Sequence, residues 1–212
     1  MRIEFGCRCG EVRGTVDDSF PQNANRVVCY CDDCQAFAHQ LGRADLLDKH
    51  GGTDIVQVPP ASVSLHCGQG DIAALRLTPT GLYRWHTTCC NTPVGNTVSP
   101  SIPFIGMVAQ VFETSPGGAD QAFGPPTGGI MARFAVGRPP GAARRISPLL
   151  LLRALSKVIL WRLTGRNRPH PFFSGEGNRP GYPVHVLARE QREALRPLCG
   201  PRPSPAELSR PS

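Results

Sequence analysis

Three thiols fall within six residues at Cys29-Tyr30-Cys31-Asp32-Asp33-Cys34, a C-x-C-x-x-C run. A second pair, Cys7 and Cys9, precedes it and is followed by Gly10; an adjacent pair, Cys89 and Cys90, comes later. Thiolates crowded in this way repel one another unless a cation sits between them, and Zn²⁺ is the usual one where disulfides are not favoured. In an extended strand, residues i and i+2 face the same side, so each C-x-C can aim two sulfurs at one ion. A turn after Cys31 would bring the third sulfur round. Three ligands matter because structural zinc is normally closed by four protein donors, whereas catalytic zinc keeps a position for water or substrate. His39 is the nearest further donor and is equally well a helix-surface histidine. Asp32 and Asp33 offer acceptors around the ligands or a general base, or they simply form the turn.

Cys7 and Cys9 need partners to hold an ion, and Cys89 or Cys90 is the natural complement. Neighbouring side chains in a strand point opposite ways, which predicts that one of these two ligates. His86 or a thiol outside the cluster would then complete the set. Cys67 and Cys199 have no close cysteine neighbours and are expected to be small buried apolar residues. The chain begins Met1-Arg2-Ile3-Glu4-Phe5-Gly6-Cys7, which has neither the apolar run nor the cleavage site of an export signal. A cytoplasmic location is therefore expected, and with it metal ligation in place of disulfides.

The elements that must position these cysteines are short strands. The 212 residues include 23 glycines and 22 prolines, the composition of many short strands joined by tight turns. Strands are predicted over residues 2–5, 11–16, 26–30, 54–58, 62–66, 73–77, 82–86 and 94–97, a short helix over 35–41, and a buried strand over 104–112. The expected fold class is mainly β, a folded sheet or sandwich of one domain spanning residues 1–114. A turn-rich connection then leads into a C-terminal extension, 115–200, expected to pack on it. Ser147-Pro148 is a helix start and Gly165 a stop, giving a Leu-rich helix over about 148–164. Its apolar stretch is too short to span a bilayer, so packing on the sheet is preferred to an interfacial position. Residues 184–187 read as a last strand, 190–195 as a last helix, and 201–212 as a disordered tail.

The formal net charge of +7 is unevenly placed. Residues 1–132 carry 8 basic and 12 acidic side chains, net −4, and residues 133–212 carry 15 and 4, net +11. The basic residues are spread out and not interleaved with aromatics, so they make no strong case for nucleic acid. A solvated Arg-rich surface is the preferred reading, and peripheral membrane contact the less favoured one.

Cys7-Arg8-Cys9-Gly10, then Cys29-Tyr30-Cys31-Asp32-Asp33-Cys34, then a late Cys90-Asn91-Thr92-Pro93 resembles the glutathione-dependent formaldehyde-activating family, which includes centromere-protein-V-like proteins. The resemblance covers about residues 1–112. It implies an Mss4-like β fold with one or two Zn²⁺ ions, Cys7 and Cys9 at a structural zinc, and Cys29, Cys31 and Cys34 at a catalytic one. It also implies carbon–sulfur lyase activity that joins formaldehyde to glutathione as S-hydroxymethylglutathione. The chain departs from the family pattern at Thr87, where a cysteine is expected, and at Asn91, where a glycine is.

An enzyme of this class would hold a small thiol such as glutathione at Cys29, Cys31 and Cys34, with an arginine such as Arg8 or Arg43 gripping a carboxylate. The alternative is a non-catalytic module that zinc merely folds, whose Arg-rich C-terminal third docks an anionic partner.

Overall fold

Alternating apolar and polar residues build two sheets in a computed structural model that describes residues 2–17, 24–174 and 179–201. The smaller sheet has the order β1-β2-β5, from β1 (Arg2–Gly6), β2 (Arg13–Asp17) and β5 (Val63–Cys67), all antiparallel. The larger sheet is mixed and eight-stranded. It takes β3 (Asn25–Cys29), β4 (Thr53–Val58), β6 (Ile72–Arg76), β7 (Tyr83–Thr87), β8 (Pro93–Thr97), β9 (Ile105–Val108), β10 (Gly129–Ile130) and β11 (Val184–Val186). Their order is β10-β3-β4-β9-β8-β7-β6-β11, antiparallel except at its two edges, where β10 joins β3 and β11 joins β6 in parallel. The helices are few: α1 (Asp32–Gln40), α2 (Gly118–Phe123), α3 (Pro148–Leu163) and α4 (Arg189–Ala194). The chain is mainly β.

The pleat of β7 divides the interior in two, because successive side chains point to opposite faces. Trp85, fully buried, stacks on Phe172 with 4.6 Å between ring centroids and meets Phe173 edge-on at 5.6 Å. That face joins the apolar side of the small sheet, including Ile3, Phe5 and Val16, in the main core. Arg84 and His86 point the other way, toward Phe37 of α1. There a second core gathers Ala36, Phe37, Leu41, Leu75, Leu77, Leu187 and Leu195.

The C-terminal region reaches both faces. Phe172 and Phe173 fill the aromatic cluster, while α4 lies over the start of α1 through ion pairs of Arg192. Helix α3 starts at Ser147, whose Oγ accepts from Leu150 N–H, and most of its aliphatic side chains face outward. The tail from residue 202 onward lies outside the described residues.

Two expectations are corrected. The apolar run 104–112 is a strand only over Ile105–Val108 and then a 3₁₀ segment, Ala109–Thr114. Phe112 there packs on Phe5 and Phe123, and burial alone does not separate a strand from a tight helix. Cys67 is exposed, not buried, because it ends a strand at the edge of the small sheet; Cys199 is half-buried.

Candidate metal centres

Two groups of cysteines converge, and each could hold a metal ion. Cys7, Cys9, Cys89 and Cys90 form one; Cys29, Cys31 and Cys34 form the other, with sulfurs in each group within 4.8 Å of one another.

The four-cysteine group joins the two sheets. Cys7 and Cys9 lie in the turn after β1, where Gly10, at φ +80, lets its N–H return to Cys7 O at 3.0 Å. Cys89 and Cys90 lie in the turn between β7 and β8. Sulfur separations are 3.5 Å for Cys7–Cys9, 3.8 Å for Cys7–Cys89, 3.4 Å for Cys9–Cys89 and 3.8 Å for Cys89–Cys90. A tetrahedron with Zn–S bonds of about 2.3 Å has edges of about 3.8 Å, so the donor set fits zinc. Both Cys89 and Cys90 lie in the group, where one of them was expected to ligate. The two sit in a turn, where strand alternation does not apply, and Asn91 at φ 53 reverses the chain behind them.

Around this group the backbone and hydroxyls supply hydrogen bonds. Val12 N–H donates to Cys7 Sγ at 3.2 Å. Cys90 Sγ lies 3.1 Å from Thr92 Oγ1 and 3.5 Å from Thr87 Oγ1. Burial works against ionisation of Cys90, yet these hydroxyls and the Cys9 backbone bring its thiol down to about 5. Thr87 thus serves the site as a hydrogen-bond partner. Arg43 is buried, held by Asp45 through Nε at 2.9 Å and Nη2 at 3.0 Å, and its Nη1 reaches Thr92 Oγ1 at 3.4 Å. It braces the turn beneath the cysteines.

The three-cysteine group is built at a strand-to-helix junction. Cys29 ends β3, Cys31 is the N-cap of α1, and Cys34 lies in its first turn. The N-terminal end of a helix favours negative charge, so the junction suits thiolates. Hydrogen bonds from Cys29 and Cys31, with Arg84 adding to them, hold the Cys34 thiol well below the usual range despite its burial. Hydrogen bonding with its two neighbours pushes Cys29 well above that range.

Arg84 is the residue that sequence reasoning missed. It is buried on β7, with Nη1 3.7 Å from Cys34 Sγ and Nη2 3.7 Å from Asp33. Its only sequence signal is an arginine between Tyr83 and Trp85 in a strand. Asp32 and Asp33 are held by ion pairs: Arg192 Nη2 reaches Asp32 at 2.6 Å and Asp33 at 3.0 Å, and Arg196 also pairs with Asp32. Neither His39 nor His86 joins a cysteine group among the described residues. His86 Nδ1 is buried without a partner, and burial lowers its basicity. A small cavity of about 10 Å³ is lined by Cys34, Phe37, Thr53, Arg84, Asn96 and Val108.

Residues 2–184 match a family of unknown function, DUF6151. No match was found among curated proteins. A crystal structure of a Rhodobacter sphaeroides protein is similar at 13% identity and a TM-score of 0.37, covering 53% of this chain and 90% of that one.

Proposed function

This chain belongs to the DUF6151 family, and we propose that it is a zinc protein that joins a small thiol to a small aldehyde at Cys29, Cys31 and Cys34. The observation that carries the reading is the donor set. Four sulfurs converge at one centre, but at the other no fourth His, Cys, Asp or Glu joins the three sulfurs among the described residues. The likeness of the cysteine pattern to the glutathione-dependent formaldehyde-activating family, with its Mss4-like fold, points the same way. Cys7, Cys9, Cys89 and Cys90 are then the structural ligands, tying the two sheets together.

Zinc at the three cysteines would bind a thiol as thiolate and lower its pKa from about 8.5. Three thiolates on a divalent ion leave one net negative charge, which favours handling a nucleophile over polarising a carbonyl. Arg84 offsets that charge from within the fold. Phe37 and Val108 put apolar surface beside Cys34, and Asn96 and Thr53 put polar side chains on the same small cavity. In the addition, the sulfur lone pair forms a bond to the carbonyl carbon and the C=O π bond breaks. The proton lost from the thiol ends on the oxygen, so nothing is oxidised or reduced. Asp32 and Asp33, tied to Arg192 and Arg196, hold the cysteine loop in shape and are not assigned a proton.

The test is exchange of ¹³C-formaldehyde with its glutathione adduct, followed by NMR on zinc-loaded protein. Exchange faster than in buffer, lost in Cys34→Ser, supports the reading. Rates equal to buffer, with no glutathione binding by calorimetry, refute it and leave a module that zinc only folds.

A further inference from the structure

Helix α3 carries its apolar side chains on the wrong side for a core helix. Trp161 is buried, and Leu150, Ala154 and Val158 turn partly inward on the same stripe. Leu149 at 76% exposure, Leu152 at 65%, Ile159 at 60% and Leu163 at 79% stand outward, joined by Leu155 and Leu160. At about 100° per residue, Arg153 and Arg162 fall on the two borders of this outward face, and both are exposed. Arg162 Nη1 reaches Ser101 O at 3.5 Å, bringing exposed Ile102 beside the helix end.

The stretch of chain that carries the helix has charge of one sign. Between Asp120 and Glu176 there is no acidic residue, while nine arginines and lysines fall in that stretch. A second copy of the chain would bring a like-charged face against this one. Nucleic acid would pair the cations but leave the leucines in water. An anionic lipid surface satisfies both, with leucines among the acyl chains and arginines at the headgroups. Sixteen residues span about 24 Å, short of the roughly 30 Å bilayer core, and no helix among the described residues is long and apolar enough to cross a membrane.

We propose that α3 is an interfacial helix that docks the protein, lying flat, on an anionic membrane surface. The geometry leaves the three-cysteine centre clear of that surface. Ala154 O accepts from Gln57 Nε2 at 3.3 Å, and Gln57 pairs with Asn25, at the end of β3 and β4 away from the Cys29–Thr53 pair. The proposal stands independently of the chemistry assigned to the cysteines.

The test is co-sedimentation of the full chain with vesicles of phosphatidylcholine alone and of phosphatidylcholine containing about 30% phosphatidylglycerol. Binding is expected to the anionic vesicles, weakening about tenfold or more between about 50 mM and 0.5 M salt. The double variant Leu152→Asp/Ile159→Asp should lose binding with an unchanged circular dichroism spectrum. Arg153→Glu/Arg162→Glu, which keeps the leucines, should weaken it about tenfold. Absence of binding to anionic vesicles at low salt overturns the proposal, as does binding that survives the aspartate pair. So does a dimer by light scattering that the aspartate pair dissolves, or duplex DNA binding that the aspartate pair leaves intact.

Discussion

Replacing Arg84 with Met removes the buried cation beside the three cysteines and nearly preserves side-chain length. Its Nη1 lies 3.7 Å from Cys34 Sγ, and at an effective dielectric of about 20 that pair is worth about 4 kcal/mol. Asp33, 3.7 Å from Nη2, shares the same guanidinium and is half-exposed, so part of this is already offset. Without metal, Cys29 and Cys31 keep their protons and Cys34 can regain one once Arg84 is gone, whereas zinc on three thiolates must keep its negative charge. The loss therefore falls mainly on the metal-loaded form, by about 2–4 kcal/mol, or roughly 30- to 1000-fold in zinc affinity. Arg84→Lys keeps the charge and should stay within about tenfold of the parent. Competition with a chromophoric chelator measures the affinity, and native mass spectrometry at the free zinc level that just fills both sites of the parent should count one ion in the Met variant against two in the parent. A folded Met variant that retains both ions at parental affinity would show that Arg84 does not stabilise the centre.

Cys89→Ser should lower the metal count by one and weaken the clip between residues 82 apart in sequence, costing up to about 4–5 kcal/mol of loop-closure entropy and roughly 10 °C in Tm. An unchanged melting profile would place Cys89 outside the ligand set. Trp85→Ala empties the stack on Phe172 and should cost about 3–5 kcal/mol, read as a lower urea midpoint at constant slope. His170 is driven down to about 4 by burial, with Arg168 adding to the effect, and its Nδ1 accepts from Phe172 N–H at 3.1 Å. The unfolded chain binds that proton first. Stability from this group is therefore full above about pH 6.5 and falls toward pH 4, by up to about 3 kcal/mol. His170→Asn should flatten that part of the pH profile, and a profile that keeps its slope would assign it elsewhere.

Many of the strands around the cysteines were legible because they are short runs, several of them alternating, bounded by glycine, proline or asparagine. Predicted spans such as 26–30 and 94–97 differ from β3 and β8 by a single residue at one or both ends. The run 104–112 was not legible as strand plus 3₁₀ turn, because apolar burial is common to both. Cysteine spacing picked out both cysteine groups, but strand alternation did not bring Cys89 and Cys90 together in one. Their turn conformation depends on the pairing of β7 with β8, which no local pattern states.

Residue type and spacing alone determined that soft, closely grouped donors are present and that the chain is mainly β, since both follow from neighbours within a few positions. Only the tertiary structure decided what surrounds those donors. Arg84 meets Cys34 across 50 positions, Arg192 meets Asp32 across 160, and Cys7 meets Cys89 across 82. Such contacts arise when distant strands pack, so a charge beside a thiolate is set by the fold and not by the neighbouring residues. The outward face of α3 has the same origin. An apolar helix shows its periodicity in sequence, but the side that meets the protein is chosen by the surface it lands on.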